Sequence, residues 1–522
     1  MRITNQMLTN NMMSNINKNK YNLNKYDEQY STGKKIQRPS DDPIIAVRAL
    51  KLRTNLVQLN QYIDKNIPDA LAWMDVSESA LKNVNQLLTD MNSYCVDGAN
   101  DDLTVEDRNS IIQNLLELKT QIYQEGNANY VGRQVFTGYK TDQSLTYSSA
   151  DDLDRQQYKI TEDFKGTDLE SVTKVIGSYT VPSDTTTIPA GQYDKAPTTI
   201  EAYRIRLAYG SLGDVGEISC GLSFTKAGET ATTTIPGDPN ITSQIMNSTD
   251  ANAYQVGDDE VHFLADTGEV IVGKNVYNTL RNATDISVNY DKLKFSEGDL
   301  RPENFFKCST YKLGNNGERI EVDPPVVPPV VPPEYQTDVD FKKEDQKIEY
   351  EINFGQNIAV NVQARDAFSH DIGRDIEGLK ALADDVTATE KKIAEVTKLR
   401  GDGNNSTEVN EKLDKLLEQM NTELVLKNSA LQKGFSSAIT STQKQQEKLN
   451  IAIADLGSRY SRVELTENRL DTQKTDFTDL LSSNEDVDIA ETYINLSMAQ
   501  LIYNASLSAA SKAVSNTLLD FI

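Results

Sequence analysis

Apolar positions recur along the first 130 residues with a helical rhythm. Met12, Ile16, Asn19, Leu23, Tyr26 and Tyr30 are spaced 4, 3, 4, 3 and 4, and five of the six are apolar or aromatic. The residues between them are rich in Asn and Lys, so the seam is narrow, the kind that a partner helix buries in a coiled coil. Gly33 stands where a C-capping glycine ends a helix. A second run, Ile45, Ala49, Leu52, Leu56, Leu59 and Ile63, keeps the same steps. Pro68 predicts an interruption or kink, and Met74, Leu81, Val84 and Leu88 resume the pattern. Thr104 followed by Asp107 predicts a capped helix start, with Ile111, Leu115, Leu118 and Ile122 along one face.

The texture changes near Gly126. From about 133 to 360 the chain is rich in Thr, Ser, Gly, Asp and Tyr, with short alternating runs. EVHFLADTGEVIVG (260–273) predicts a hairpin turning at Asp266, Thr267 and Gly268, and IEYEINFGQNIAVNV (348–362) a strand pair. SYTVPSDTTTIPAG predicts a loop, and PPVVPPVVPPEY (324–335) an extended, exposed polyproline spacer. Helix then returns. A long helix is expected over roughly 436–481, and a last one carries Ile489, Tyr493, Leu496, Gln500, Tyr503, Leu507, Ala510, Val514, Thr517 and Phe521 at heptad steps. Leu501, Ile494 and Leu518 give that helix a second apolar side.

An isolated seam is unstable in water until another helix covers it. The simplest solution pairs the two ends of the chain. The expected fold is therefore mainly α with a β-rich insertion: terminal helices in coiled-coil and bundle domains, and a variable outer domain between them. The expected boundaries are 1–40 with 485–522 for the terminal coiled coil and 41–141 with 436–484 for a helical bundle, with further segments possible from 345–435. The outer domain would span 142–435. Its chemistry is sparse. The 522 residues include 53 basic and 78 acidic side chains, a net charge of -25 that argues against nucleic acid. Cys95, Cys220 and Cys308 are too widely spaced for a zinc knuckle and imply no disulfide framework. No apolar run approaches the length of a membrane span or a signal-peptide core. His370, in AFSHDIGRD, reads as a surface or capping residue; no carboxylate is framed by partners that would shift its pKa, and no catalytic, cofactor-binding or metal motif is present.

One stretch is more distinctive. RPSDDPIIAVRAL (38–50) places Pro39, Ser40, Asp41, Asp42 and Pro43 directly before an apolar-patterned run. Pro43 suits a first helical turn, Ser40 or Asp42 can cap it, and the carboxylates of Asp41 and Asp42 favour the helix N-terminus. With MRITNQML, STGKKIQRPSDDP, NIPDALAWMDVSESAL, GNANYVGRQVFTGYKT, GSRYSRVELTENRL and the closing 484–522, this stretch resembles the flagellin family of axial proteins. Within it, the proline after two aspartates, Trp73 and the LLDFI ending are similar to proteins of the hook–filament junction rather than to filament flagellins. The resemblance covers about 1–141 and 436–522.

The resemblance implies a non-enzymatic subunit without cofactors, exported by the flagellar type III apparatus after a chaperone has held its C-terminal helix, and located outside the cell on the flagellum. It implies a homo-oligomeric ring at the distal end of the hook, between the first hook-associated junction protein and flagellin. It gives no role to nucleic acid or membrane. Met12, Ile16, Leu23, Tyr26, Tyr30, Asp41, Asp42, Pro43, Tyr493, Leu496, Leu501, Tyr503, Leu507, Val514 and Phe521 are the candidate assembly residues. The alternatives are a filament flagellin, or an axial protein whose 142–435 segment is an adhesin or houses an enzyme. Because a two-stranded terminal pair buries little apolar surface, limited proteolysis of the monomer is expected to trim roughly 40 residues from each end and spare the inner bundle; protease-resistant ends would contradict it.

Overall fold

The structure, a computed structural model, describes residues 5–100, 103–183, 188–189, 191–314, 316–322, 334–401 and 405–519; of Asn5 and residues 513–519 only the helix is described. The proline-rich insert of 324–333 and Phe521 lie outside the described residues, as do the side chains of Val514 and Leu518. The helices are α1 (Asn5–Thr32), α2 (Pro43–Gln61), α3 (Ile67–Gly98), α4 (Val105–Glu125), α5 (Lys274–Leu280), α6 (Ala364–Ala367), α7 (Asp371–Arg400), α8 (Thr407–Glu485) and α9 (Ile489–Leu519). The chain is mainly α with a β-rich middle. It divides into one unit of residues 1–71, 350–358 and 460–522 and another of 72–349 and 359–459.

In the first unit α1 lies along α9, and the steps read from the sequence put the half-buried side of α1 where they predict it: Met12, Ile16, Asn19, Leu23 and Tyr26. Gly33 ends α1 at φ +70°, donating its amide to Gln29 O at 2.9 Å. Asp42 is the residue that caps α2, its Oδ1 accepting from the amides of Ile44 (2.9 Å) and Ile45 (3.2 Å), with Pro43 in the first turn. Pro68 does not break the helix. The backbone widens into one π turn, Tyr62–Asn66, in which the amide of Ile67 reaches Tyr62 O. This shift accommodates a residue that has no amide hydrogen and whose ring crowds the preceding turn. The hairpin of Glu349–Asn353 and Gln356–Ala359 meets this turn: Glu351 Oε1 accepts from Tyr62 Oη at 2.9 Å, and Phe354 packs edge-on to Tyr62 at 5.4 Å.

The second unit holds a helical bundle and a β-sandwich. Trp73, Leu81, Val84 and Leu88 of α3, Ile112, Leu115 and Ile122 of α4, Ile376 and Leu379 of α7 and Leu431, Phe435 and Leu449 of α8 are all buried. The capping box of Thr104 and Asp107 starts α4 as expected. The long helix begins at Thr407 rather than near 436, because Leu413, Leu416 and Met420 extend the apolar face and bury it with Val396 of α7. One sheet has the order Thr337–Phe341, Lys307–Tyr311, Tyr158–Phe164, Asp285–Lys292, Cys220–Thr225, Thr232–Ile235, all antiparallel. The other runs Glu170–Ile176, Thr198–Arg206, Glu269–Val272, Glu260–Leu264, Thr242–Met246, with a parallel pairing only between the last two. The predicted hairpin turns between Leu264 and Glu269. Alternate residues point inward, so Ile160, Leu222, Phe224, Val288 and Tyr290 share one core with Ile205, Val261, Phe263 and Val270.

Two expectations fail here. His370 is not a surface residue: it is buried against Tyr209, Phe305 and Phe306, does not use its side chain as a cap, and is held down to about 3 by burial and by Lys448, Arg374 and Lys119. Nor are all carboxylates ordinary. Glu162 is buried in the inward row of its strand and accepts from the Ala208 amide at 3.0 Å and from Tyr290 Oη. Burial pushes it up to about 7. Both depend on long-range packing that no local spacing announces. Folded, Glu162 keeps its proton to about pH 7; unfolded, it loses it near 4.5. Across that window the folded state binds more protons, so stability falls as pH rises. Glu162→Gln is expected to remove this component, gaining stability relative to the parent from pH 5 to pH 8 in thermal melts. A difference that does not change with pH would contradict it.

Candidate assembly surface

The first unit is built on a seam between the chain's two ends. On α9 the covered positions are Thr492, Leu496, Ala499, Tyr503, Ser506 and Ala510, a heptad of steps 4, 3, 4, 3 and 4. Leu496, Tyr503 and Ala510 are those read from the sequence. Tyr493, Gln500 and Leu507 are not: they are exposed, and the small Thr492, Ala499 and Ser506 take their places. Close approach is the reason. Asn19 Nδ2 donates to Ser506 Oγ at 2.7 Å, a contact between residues 487 apart that a leucine-sized side chain would hold open. Tyr30, assigned to the seam on α1, lies beside it and meets Tyr493 at 5.7 Å between ring centroids; Gln29 takes the covered position and donates to Lys35 O at 2.7 Å.

The joint beyond α1 is polar and local. Lys35 donates its amide to Glu485 O at 2.7 Å and Val487 donates to Gly33 O at 3.0 Å, closing a short antiparallel bridge. Lys34 Nζ pairs with Asp486 at 2.5 Å and holds its carboxyl below the usual range, while Arg53 pairs with the buried Glu485. Asp41 accepts from the amides of Arg38 (2.9 Å) and Gln37 (3.2 Å), which lowers its pKa. The two aspartates that open the quoted stretch thus serve their own turn, and Pro43 is exposed at the start of α2.

The outward side of these helices is apolar. Leu501 is 71% exposed, with Ile494, Met498 and Ile502 near it on α9; Met7, Leu8, Met13 and Tyr21 are exposed on α1. On α2 the exposed Val47, Leu50 and Val57 form a second heptad with Pro43 and Thr54. That second seam follows the same 4, 3 steps, offset by two residues from the first. Exposed apolar side chains of this kind can serve as an interaction face. It can bury leucine- and valine-sized groups against a helix of another molecule, at roughly 1.5–3 kcal/mol for each side chain fully covered.

Residues 3–141 match the bacterial flagellin N-terminal helical region and residues 437–522 the bacterial flagellin C-terminal helical region, so both ends of the chain are flagellin-like. The chain is also similar to flagellar hook-associated protein 3 of Salmonella typhimurium and of Escherichia coli, each 34% identical over 145 residues, 27% of this chain and 45% of the relative. The chain thus matches a little under half the length of these curated relatives. Two solved structures align at 11% identity over 85% of this chain and 100% of their own: a flagellar hook-associated protein from Vibrio parahaemolyticus, TM-score 0.34, and the flagellar junction protein FlgL from Legionella pneumophila, TM-score 0.28. Global similarity this low carries no weight for function.

Ala499 tests the seam. Ala499→Leu overfills a buried position, and overpacking of this kind typically costs about 1–3 kcal/mol. Faster proteolytic loss of the terminal helices is expected, with the melting of the second unit unchanged; equal protection in parent and variant would show that α1 and α9 do not approach closely there.

Proposed function

We propose that this chain is a structural subunit of the flagellar hook–filament junction, an adaptor on which flagellin polymerises. The observation that carries this reading is the exposed apolar face of α1, α2 and α9, on helices that match the terminal regions of flagellin. The names of the curated relatives direct it to the junction rather than the filament.

The mechanism is one of covering. Each subunit spends one seam on its own α1–α9 pair and offers the other faces to neighbours. Copies side by side would bury Leu501, Ile494 and Val47, forming a ring. The hook side of the ring would meet the first hook-associated junction protein, and the far side would meet flagellin. Before assembly the same face needs protection from water and from premature association, the task of a chaperone during type III export. Met12, Ile16, Leu23, Tyr26, Leu496 and Tyr503 would act by shaping the pair. Tyr30, Tyr493, Leu501 and Leu507 would act by direct contact, and Asp41, Asp42 and Pro43 by setting the entry of α2. The role is mechanical, without a reaction.

Complementation tests it. Deletion of the gene in a flagellated host is expected to leave hooks without filaments and flagellin unpolymerised in the medium, and the parent gene to restore filaments. Leu501→Asp places a charge on the outward face, where burial against a neighbour would leave it unpaired. The purified variant should melt like the parent and yet fail to restore filaments. Long filaments anchored on hooks in the deletion strain would refute the junction role.

A further inference from the structure

The second unit contains a cleft that the assembly role does not use. It has a volume of about 620 Å³, the size of a site for one small molecule. Tyr123 of α4, Lys292, His370 just before α7, Arg374 and Gly378 of α7, and Lys433 of α8 are among the residues that line it. Several of its charges are already matched. Glu377 receives Lys119 at 3.1 Å and Arg374 at 2.8 Å; Asp375 receives Arg206 at 2.5 Å; Glu269 receives Arg204, and Tyr254 Oη at 2.7 Å.

Lys292 is different. Its side chain is buried, and Nζ lies 5.0 Å from the Phe295 ring centroid and donates to two backbone carbonyls, Gly210 O at 2.8 Å and Ser211 O at 3.1 Å, leaving one of its three donors without an oxygen or nitrogen acceptor among the described residues. No described carboxylate stands within ion-pair distance of it. The carboxylate acting on it most strongly is Asp299, which instead accepts from the Ser296 amide at 2.8 Å. Burial without a matched charge pushes the ammonium down to about 8. His370 also borders the cleft, nine-tenths buried, and its Nε2 has no hydrogen-bond partner. Gly373, in the first turn of the 30-residue helix α7, lines the same space, its amide meeting Tyr123 Oη. An ammonium with a spare donor and a neutral imidazole whose partnerless Nε2 can carry the ring's proton, beside the positive end of a helix dipole, together favour a negatively charged acceptor. Four further carboxylates line the cleft: Glu201 and Asp385 are exposed to water, Asp266 accepts from the Ser248 amide at 2.8 Å, and burial raises the pKa of Asp299, which favours its neutral form.

We propose that this cleft binds a small organic anion of sugar size, its carboxylate or phosphate group held by Lys292, His370 and the start of α7, and its polar body lying against Tyr123 and Tyr209. The ligand chemistry is a sugar acid or a sugar phosphate. The site lies in the second unit, so its fate is separate from that of the assembly surface in the first.

Titration calorimetry on the full-length protein tests it, with glucuronate, glucose 6-phosphate and neutral glucose as probes at constant ionic strength. Saturable binding of at least one anionic probe is expected, with none for glucose; which anion binds distinguishes carboxylate from phosphate. Lys292→Met should weaken that binding at least tenfold. Because Lys292 also ties down two carbonyls, a second variant leaves the core alone. Gly378 has no atom within 4 Å of where a Cβ would stand, so Gly378→Trp can fill the cleft from an exposed helix position. It should abolish binding without lowering the melting temperature. Absence of saturable binding by both anions, equal binding of glucose, or undiminished binding by Gly378→Trp would each overturn the proposal.

Discussion

The terminal unit depends on one contact, the narrow seam between α1 and α9. It joins residues nearly the whole chain apart, as the bond from Asn19 to Ser506 across 487 positions makes plain. Such a contact gains nothing from locality: closing a flexible loop of that length costs about 5–6 kcal/mol before any surface is buried. The seam is also thin, with half-buried rather than buried side chains on α1. Its support comes from the polar joint at its end. There the chain runs antiparallel to itself through Gly33, Lys35, Glu485 and Val487, with Lys34 and Arg53 neutralising Asp486 and Glu485. The exposed apolar faces on α1, α2 and α9 follow from the same economy. A helix that commits only one side to its partner has other sides left, and the proposed junction role is a use for them.

The second unit is stabilised differently. Its bundle and sandwich bury large side chains completely, Trp73, Phe136, Phe263, Phe435 and Tyr290 among them. Polar groups enter this interior under strict terms. Glu162 is tolerated because the Ala208 amide and Tyr290 Oη meet its oxygens. His370 is tolerated as a neutral ring among aromatic rings. Lys292 is tolerated by two carbonyls, and only partly. Glu162 and His370 can serve as packing elements, whereas the cleft beside Lys292 leaves charge and volume that packing does not need.

Much of this was legible along the chain. The seam of α1 follows from Met12, Ile16, Asn19, Leu23 and Tyr26 without correction, and Gly33, Asp42, Pro43, Thr104 and Asp107 mark ends where the structure has them. Those features obey rules that act over three or four residues: helical period, an orphan amide, a missing N–H. On α9 the same period misled. The apolar Tyr493 and Leu507 were the natural choice for a seam, yet Thr492, Ala499 and Ser506 line it, because a helix pair in close contact selects for small size as much as for apolarity. The start of α8 was missed by about thirty residues, because its first turns are strongly charged and their burial depends on α7.

By itself the sequence determined the periodic elements, their caps and turns, and the flagellin-like character of the two ends, since all of these are written in residues close together. The tertiary structure decided which heptad on α9 is covered, which apolar stripes remain open, and where Glu162, His370 and Lys292 lose contact with water. Those outcomes depend on how near two distant surfaces can come and on which dipoles happen to meet a buried group. Neither quantity exists until the chain has folded.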